Sequence, residues 1–205
     1  MKRIICMLLS LALLFSLAGC KDGQNGTANI NSGDIALEEY AKNGQIPEQK
    51  FALGADIQTV KQYYSDIVAN HEQEETEEEN PGHNHEDLEA YYLDVAEGEK
   101  TVRMSIGNTT FFYEKAKANN GISVISTKEN TFGFQIGNTT KQEIEMAFME
   151  KGQTVDATDD DMYFVIQTEP CVILRYTFEN VKLDFYFSNN VLMTTVIMNT
   201  QNWTV

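Results

Sequence analysis

The chain has 205 residues, 31 of them acidic against 15 lysines and arginines, for a formal charge of −16. A balance this negative excludes nucleic-acid binding, because phosphates need a basic footprint. It also opposes electrostatic adhesion to an anionic lipid surface.

Met1-Lys2-Arg3 is a short basic start, and Ile4 to Leu17 is apolar apart from Ser10 and Ser16. The run is shorter than the roughly 20 residues a spanning helix needs, and with small residues at its end it reads as a secretory signal. It closes on Leu17-Ala18-Gly19-Cys20, which resembles the lipobox of bacterial lipoprotein signal peptides. That resemblance implies cleavage of residues 1–19 and lipid, palmitate among the acyl chains, on Cys20. The place of work is then the extracytoplasmic face of the cell membrane. Two or more acyl chains make such an anchor stable. An ordinary secretory signal with a chance cysteine is the alternative. Without Lys2 and Arg3 the mature chain has 13 basic and 31 acidic residues, a charge of −18. Cys6 leaves with the signal and Cys20 carries lipid, so Cys171 has no disulfide partner within the chain. Its strand-like surroundings, Cys171-Val172-Ile173-Leu174, read as those of a buried, inert thiol.

Residues 20–34 follow as a lipidated cysteine and a Gly/Asn-rich linker, a flexible tether. A short helix is expected over Ile35–Lys42. About 170 residues remain after the linker, enough for a core without disulfides. Phe51-Ala52-Leu53-Gly54 matches Phe134-Gln135-Ile136-Gly137, 83 positions on, and each signature precedes an amphipathic helix. Ile57, Val60, Tyr64 and Ile67 share a face of the first, with Asp56 as its N-cap. Thr140 and Glu143 have capping-box spacing at the start of the second. Four strand-like runs are predicted after each helix: 90–96, 100–107, 110–116 and 121–127, then 161–167, 171–178, 181–188 and 191–199. A constant shift of 72 aligns Arg103 with Arg175, Tyr113 with Phe185 and Ile125 with Ile197. Hairpin turns fall at Gly107-Asn108, Asn119-Asn120-Gly121, Glu179-Asn180 and Asn189-Asn190.

These observations predict an α+β fold of two tandem repeats, each a helix packed on a four-stranded antiparallel β-sheet. The first spans 35–129 and the second 130–205. The pattern resembles the tandem-repeat domains of β-lactamase inhibitory protein and related bacterial surface lipoproteins of small-protein-A type. The inhibitory protein has disulfides and this chain has none, and the loop residues that engage a β-lactamase find no match here.

The nucleotide-binding, hydrolase-elbow and Cys-x-x-Cys templates are absent. The three histidines, His71, His83 and His85, fall in one segment, Asn70 to Glu89, with nine acidic residues and no lysine or arginine. It reads as an insertion of 70–89 between helix and strand. One reading of it is capture of zinc or another divalent cation by His83-x-His85 with His71. The other is a solvated block of like charge, with no cofactor. A separate candidate comes from strand phase. If Met104, Ile106, Phe111 and Tyr113, with Tyr176, Phe178, Leu183 and Phe185, face the helices, the opposite face carries Tyr92, Arg103, Phe112, Tyr163, Arg175 and Tyr186, with Trp203 near them. Tyr, Trp and Arg are enriched where proteins bind partners, although an ordinary solvated sheet face also carries such cross-strand pairs. The function expected is therefore non-catalytic binding of a protein or cell-envelope ligand by a lipid-anchored domain. The metal-binding reading comes second and an envelope enzyme third.

Overall fold

The computed structural model describes residues 34–77, 93–148, 151–165 and 171–204, and of residues 34–36 and 68–77 the backbone alone. In chain order the elements are α1 (Asp34–Lys42), α2 (Ile57–Glu77), β1 (Asp94–Glu97), β2 (Thr101–Ile106), β3 (Thr109–Glu114), a 3-10 turn (Lys115–Asn120), β4 (Val124–Thr127), α3 (Lys141–Ala147), β5 (Gln153–Asp156), α4 (Asp159–Met162), β6 (Val172–Phe178), β7 (Val181–Ser188) and β8 (Val191–Asn199).

The expected fold class is overturned. There are not two helix-on-four-strand repeats but one eight-stranded antiparallel sheet of order β1-β2-β3-β4-β8-β7-β6-β5. The chain is mostly β, and the helices of its second half are short, seven residues in α3 and four in α4. The sheet is continuous because β4 pairs with β8, from Val124↔Met198 to Thr127↔Thr195. Val124, Ile125, Val196 and Ile197 are all buried, so both strands carry apolar side chains on both faces. Leaving either at an edge would expose those side chains and a row of unpaired backbone groups. Pairing the two strands removes both costs, and the sheet runs across the expected boundary at 129/130.

Two elements also lie elsewhere than the apolar pattern predicts. The strand expected at 161–167 begins as α4, because Thr158 and Asp161 close a capping box that starts a helical turn. The sheet's last strand is instead β5, a short polar edge. The helix after Asp56 continues to Glu77, so the acidic segment begins inside α2 rather than after it. Glu and Gln are good helix formers, and no Gly or Pro interrupts the run before Pro81.

Local signals otherwise act as their chemistry dictates. The Asp56 carboxylate accepts the Thr59 N–H at 2.8 Å, and Thr140 and Glu143 form a reciprocal capping box. Gly54 and Gly137, which end the two Phe-x-Leu/Ile-Gly signatures, have φ of 81° and 76°, where a side chain is strained.

The central strands of the sheet are buried on both faces. One face packs Met104, Ile106, Phe111 and Tyr113, with Tyr176, Phe178, Leu183 and Phe185, under α1, α2, α3 and Phe132-Phe134. The other face forms a smaller core from Phe112, Val124, Ile173, Tyr186, Val196 and Met198. Phe164 and Val165, just after α4, and Trp203, just after β8, cover it.

Candidate functional site

The second face is where the sequence places a binding surface, and its cover decides which residues are available. Phe112 is 2% exposed and Tyr186 fully buried. Phe112 is enclosed by Tyr163, Phe164 and Trp203, with ring centroids 5.7, 5.4 and 6.1 Å away. The Tyr186 hydroxyl donates to the Asp161 carbonyl at 3.1 Å, and burial pushes its pKa well up. Neither side chain reaches solvent. Their position opposite the helix-covered core follows from strand phase, but the overlying segment 158–165 turns that face inward.

Arg175 is held on both sides. Its Nε and Nη2 donate to the two oxygens of Asp184, each at 2.8 Å, and Nη2 also donates to Asp161 at 2.7 Å. The Asp184 bonds, above all, raise the Arg175 pKa. Burial pushes the Asp184 carboxyl up against the pull of the guanidinium. At Asp161 burial also acts upward, but the Thr158 N–H and hydroxyl and Arg175 outweigh it and hold its pKa low. Arg175 thus fastens α4 to the sheet. Its Nε and Nη2 donors are committed to these carboxylates.

Arg103 sits differently. It pairs across the hairpin with Phe112, whose side chain offers no acceptor, and among the described residues its ion-pair partner is Asp94 at 3.7 Å, on a side chain 69% exposed. The Arg103 side chain is 39% exposed, yet its Nε is buried without a hydrogen-bond partner among the described residues. Tyr163 is adjacent: its ring lies against Phe112 and its hydroxyl is 3.0 Å from Thr101 Oγ1. Thr101 precedes Arg103 by two positions on the same strand, hence on the same face. Tyr163 is 53% exposed, the most exposed aromatic among the described residues. Arg103 and Tyr163 together give an open guanidinium beside a flat ring that is braced from behind by Phe112, Phe164 and Trp203.

Tyr92, Cys20, His83 and His85 lie outside the described residues, as does the side chain of His71, whose backbone belongs to α2. Among the described residues no group of three or more His, Cys, Asp or Glu could hold a metal, and no helix is long and apolar enough to cross a membrane. Cys171 is buried, its Sγ 3.4 Å from Met162 Sδ, and burial pushes its thiol pKa up. That suits packing better than nucleophilic attack, which needs a thiolate.

Asp161 and Asp184 were not singled out by composition, although one signal for Asp184 was present. The two-residue turn at Glu179-Asn180 puts residue 184 opposite residue 175, and the register confirms Arg175↔Asp184.

No family model matches the chain, and no curated protein matches it. A DUF4309 family protein (YjgB) from Bacillus subtilis subsp. subtilis str. 168 is similar in structure at 15% identity and a TM-score of 0.41, over 80% of this chain and 93% of that one. A likeness this loose carries no argument about fold or function.

Proposed function

We propose that the chain is an extracytoplasmic lipoprotein, held at the cell membrane by lipid on Cys20, that works without catalysis. It binds a protein or cell-envelope ligand at Arg103 and Tyr163. The observation that carries the reading is Arg103 itself, a half-buried guanidinium whose Nε is buried and unpartnered. A buried donor left unsatisfied costs roughly 1–3 kcal/mol, more when it is charged. A ligand meets the exposed part of the side chain, which is 39% accessible, and the planar fork favours a carboxylate or phosphate oxygen pair. Tyr163 supplies apolar contact area at small entropic cost.

Two experiments test the two halves. Cys20→Ser should abolish metabolic lipid labelling and release the protein from membranes, and unchanged labelling of that variant ends the anchoring claim. Quantitative capture from solubilised envelope, with the wild-type chain and Arg103→Ala as paired baits, should show a ligand that the variant loses. Equal capture by both rejects Arg103 as the binding residue.

A further inference from the structure

The opposite side of the molecule carries a cleft of about 230 Å³ between the first half of α2 and the β2–β3 turn. Tyr63, Tyr64 and Ile67 form one wall, and Glu48, Lys50 and Glu129 stand around it. The aromatic wall is braced before any ligand arrives. Phe51 meets Tyr63 edge-on at 5.3 Å and 84°, and Tyr63 meets Tyr64 at 5.2 Å and 77°. Burial pushes the Tyr64 hydroxyl up to about 12, with Tyr63 and Glu129 adding to the effect, so it stays neutral.

The charges of the cleft are unbalanced. Glu48 accepts the N–H groups of Phe132 and Gly133 at 2.9 and 3.0 Å, and Glu129 accepts the Gln49 amide at 2.8 Å. Among the described residues neither carboxylate makes an ion pair. Among the described residues lining the cleft the one cation is Lys50, whose ammonium lies over the Tyr63 ring, 5.4 Å from its centroid. The ring face therefore already receives an alkylammonium group, supplied by the chain's own exposed lysine. An aromatic face attracts cations through its quadrupole, and an acidic body raises cation concentration around it.

We propose that this cleft binds a small organic cation, whose ammonium group displaces Lys50 and lies against Tyr63 and Tyr64 beside the carboxylates of Glu48 and Glu129. Two properties follow from this placement. Lys50 competes with the ligand for the ring, so its removal strengthens binding. An anion of the same size meets two carboxylates and is refused.

The test uses the full chain and choline as probe, with sodium chloride at matched ionic strength as control and acetate as the anionic counterpart. Ring resonances of Tyr63 and Tyr64, assigned by NMR, should shift saturably with choline and stay fixed with acetate. Lys50→Met should tighten choline binding roughly two- to five-fold, the scale of one exposed cation–π contact. Glu129→Gln keeps an acceptor for Gln49 but loses the charge, and should weaken binding by a similar factor. The absence of a saturable choline shift overturns the proposal. So does weaker or unchanged choline binding in Lys50→Met, because only a cation site improves when the resident lysine is removed.

Discussion

Arg103 lies across from Phe112 in the β2–β3 hairpin, and Arg175 lies across from Asp184 in β6–β7. Both hairpins have a two-residue turn, both arginines stand on the face away from the main helices, and both are flanked by aromatic side chains. A single cross-strand residue separates their fates. Asp184, 1% exposed, accepts from Nε and Nη2 of Arg175, and Nη2 also donates to Asp161, so that arginine becomes a fastening for α4. Phe112 gives Arg103 apolar contact and no acceptor, so among the described residues its guanidinium has only the exposed Asp94, 3.7 Å away, as a carboxylate partner. The lesson is that an arginine on a sheet face is read from the residue opposite it before it is read as a binding residue.

The largest expected effect breaks the fastened side. Arg175→Ala leaves the buried Asp184 with Lys182, 3.7 Å away, as its one ion-pair partner among the described residues, and removes the anchor of Asp161. Removing one partner of a buried ion pair leaves an uncompensated charge, and the expected loss is about 3 kcal/mol, measured as a fall in the denaturant midpoint at neutral pH. Arg175→Met with Asp184→Leu should recover most of that loss, because an apolar pair of similar volume replaces the desolvated charges. If Arg175→Ala proves as mild as a surface substitution, the contrast between the hairpins collapses.

The hairpins themselves were legible from the residues. Gly107-Asn108 and Glu179-Asn180 set the registers, and strand alternation put Met104, Phe111, Tyr176 and Phe185 in the main core. What was not legible was which surfaces the sheet would cover. Met162 to Val165 has the apolar character of a strand, and only the Thr158–Asp161 capping box diverts it into a strap over Phe112 and Tyr186. The joining of two four-stranded halves depends on the β4–β8 contact, which connects residues about 70 apart. No local periodicity records such a contact. Β8 does carry a hint, because Val196, Ile197 and Met198 are buried in succession, a run that suits a strand covered on both faces. The Lys50–Tyr63–Glu129 cleft left no trace in sequence, since α2, the β2–β3 turn and two separate loops form it.

A middle-sized effect sharpens the comparison from the other edge of the same cover. Glu114, buried at the end of β3 in the Arg103 hairpin itself, holds the C-terminal segment by accepting from the Thr204 N–H and hydroxyl and pairing with Lys117 at 3.3 Å. Burial acts to raise its pKa, but these partners outweigh it and hold it below the ordinary carboxylate value. A carboxylate depressed by folding contributes stability that is fully present above its unfolded pKa of about 4.3 and is lost as pH falls through the folded value. Trp203, the single tryptophan and 7% exposed, reports the change. Its emission should shift to the red on acidification below roughly pH 4. Asp161 is depressed as well and loses its hold in a similar range, so the informative measurement is the difference between the wild type and Glu114→Gln. That variant should lose about 1–3 kcal/mol at neutral pH and show a weaker acid response. An identical emission profile in both proteins would remove Glu114 from the account.

The smallest expected effect on stability falls on the open side. Among the described residues Arg103 makes no ion pair closer than 3.7 Å and its Nε makes no hydrogen bond, so little is broken when it is removed. Arg103→Ala should change the denaturant midpoint by no more than a surface substitution does, within about 0.5 kcal/mol. It also removes an unsatisfied buried donor, so a slight gain in stability is the more telling result. The functional readout is expected to move the other way, with ligand capture lost while folding is kept. Arg103→Lys separates charge from shape, because lysine preserves the positive charge but not the planar fork. Capture restored by lysine points to a charge interaction alone, whereas capture still lost points to a paired-oxygen acceptor on the ligand. A stability loss on the scale of Arg175→Ala would instead make Arg103 a second fastening, and the two hairpins would then differ only in the partner they use.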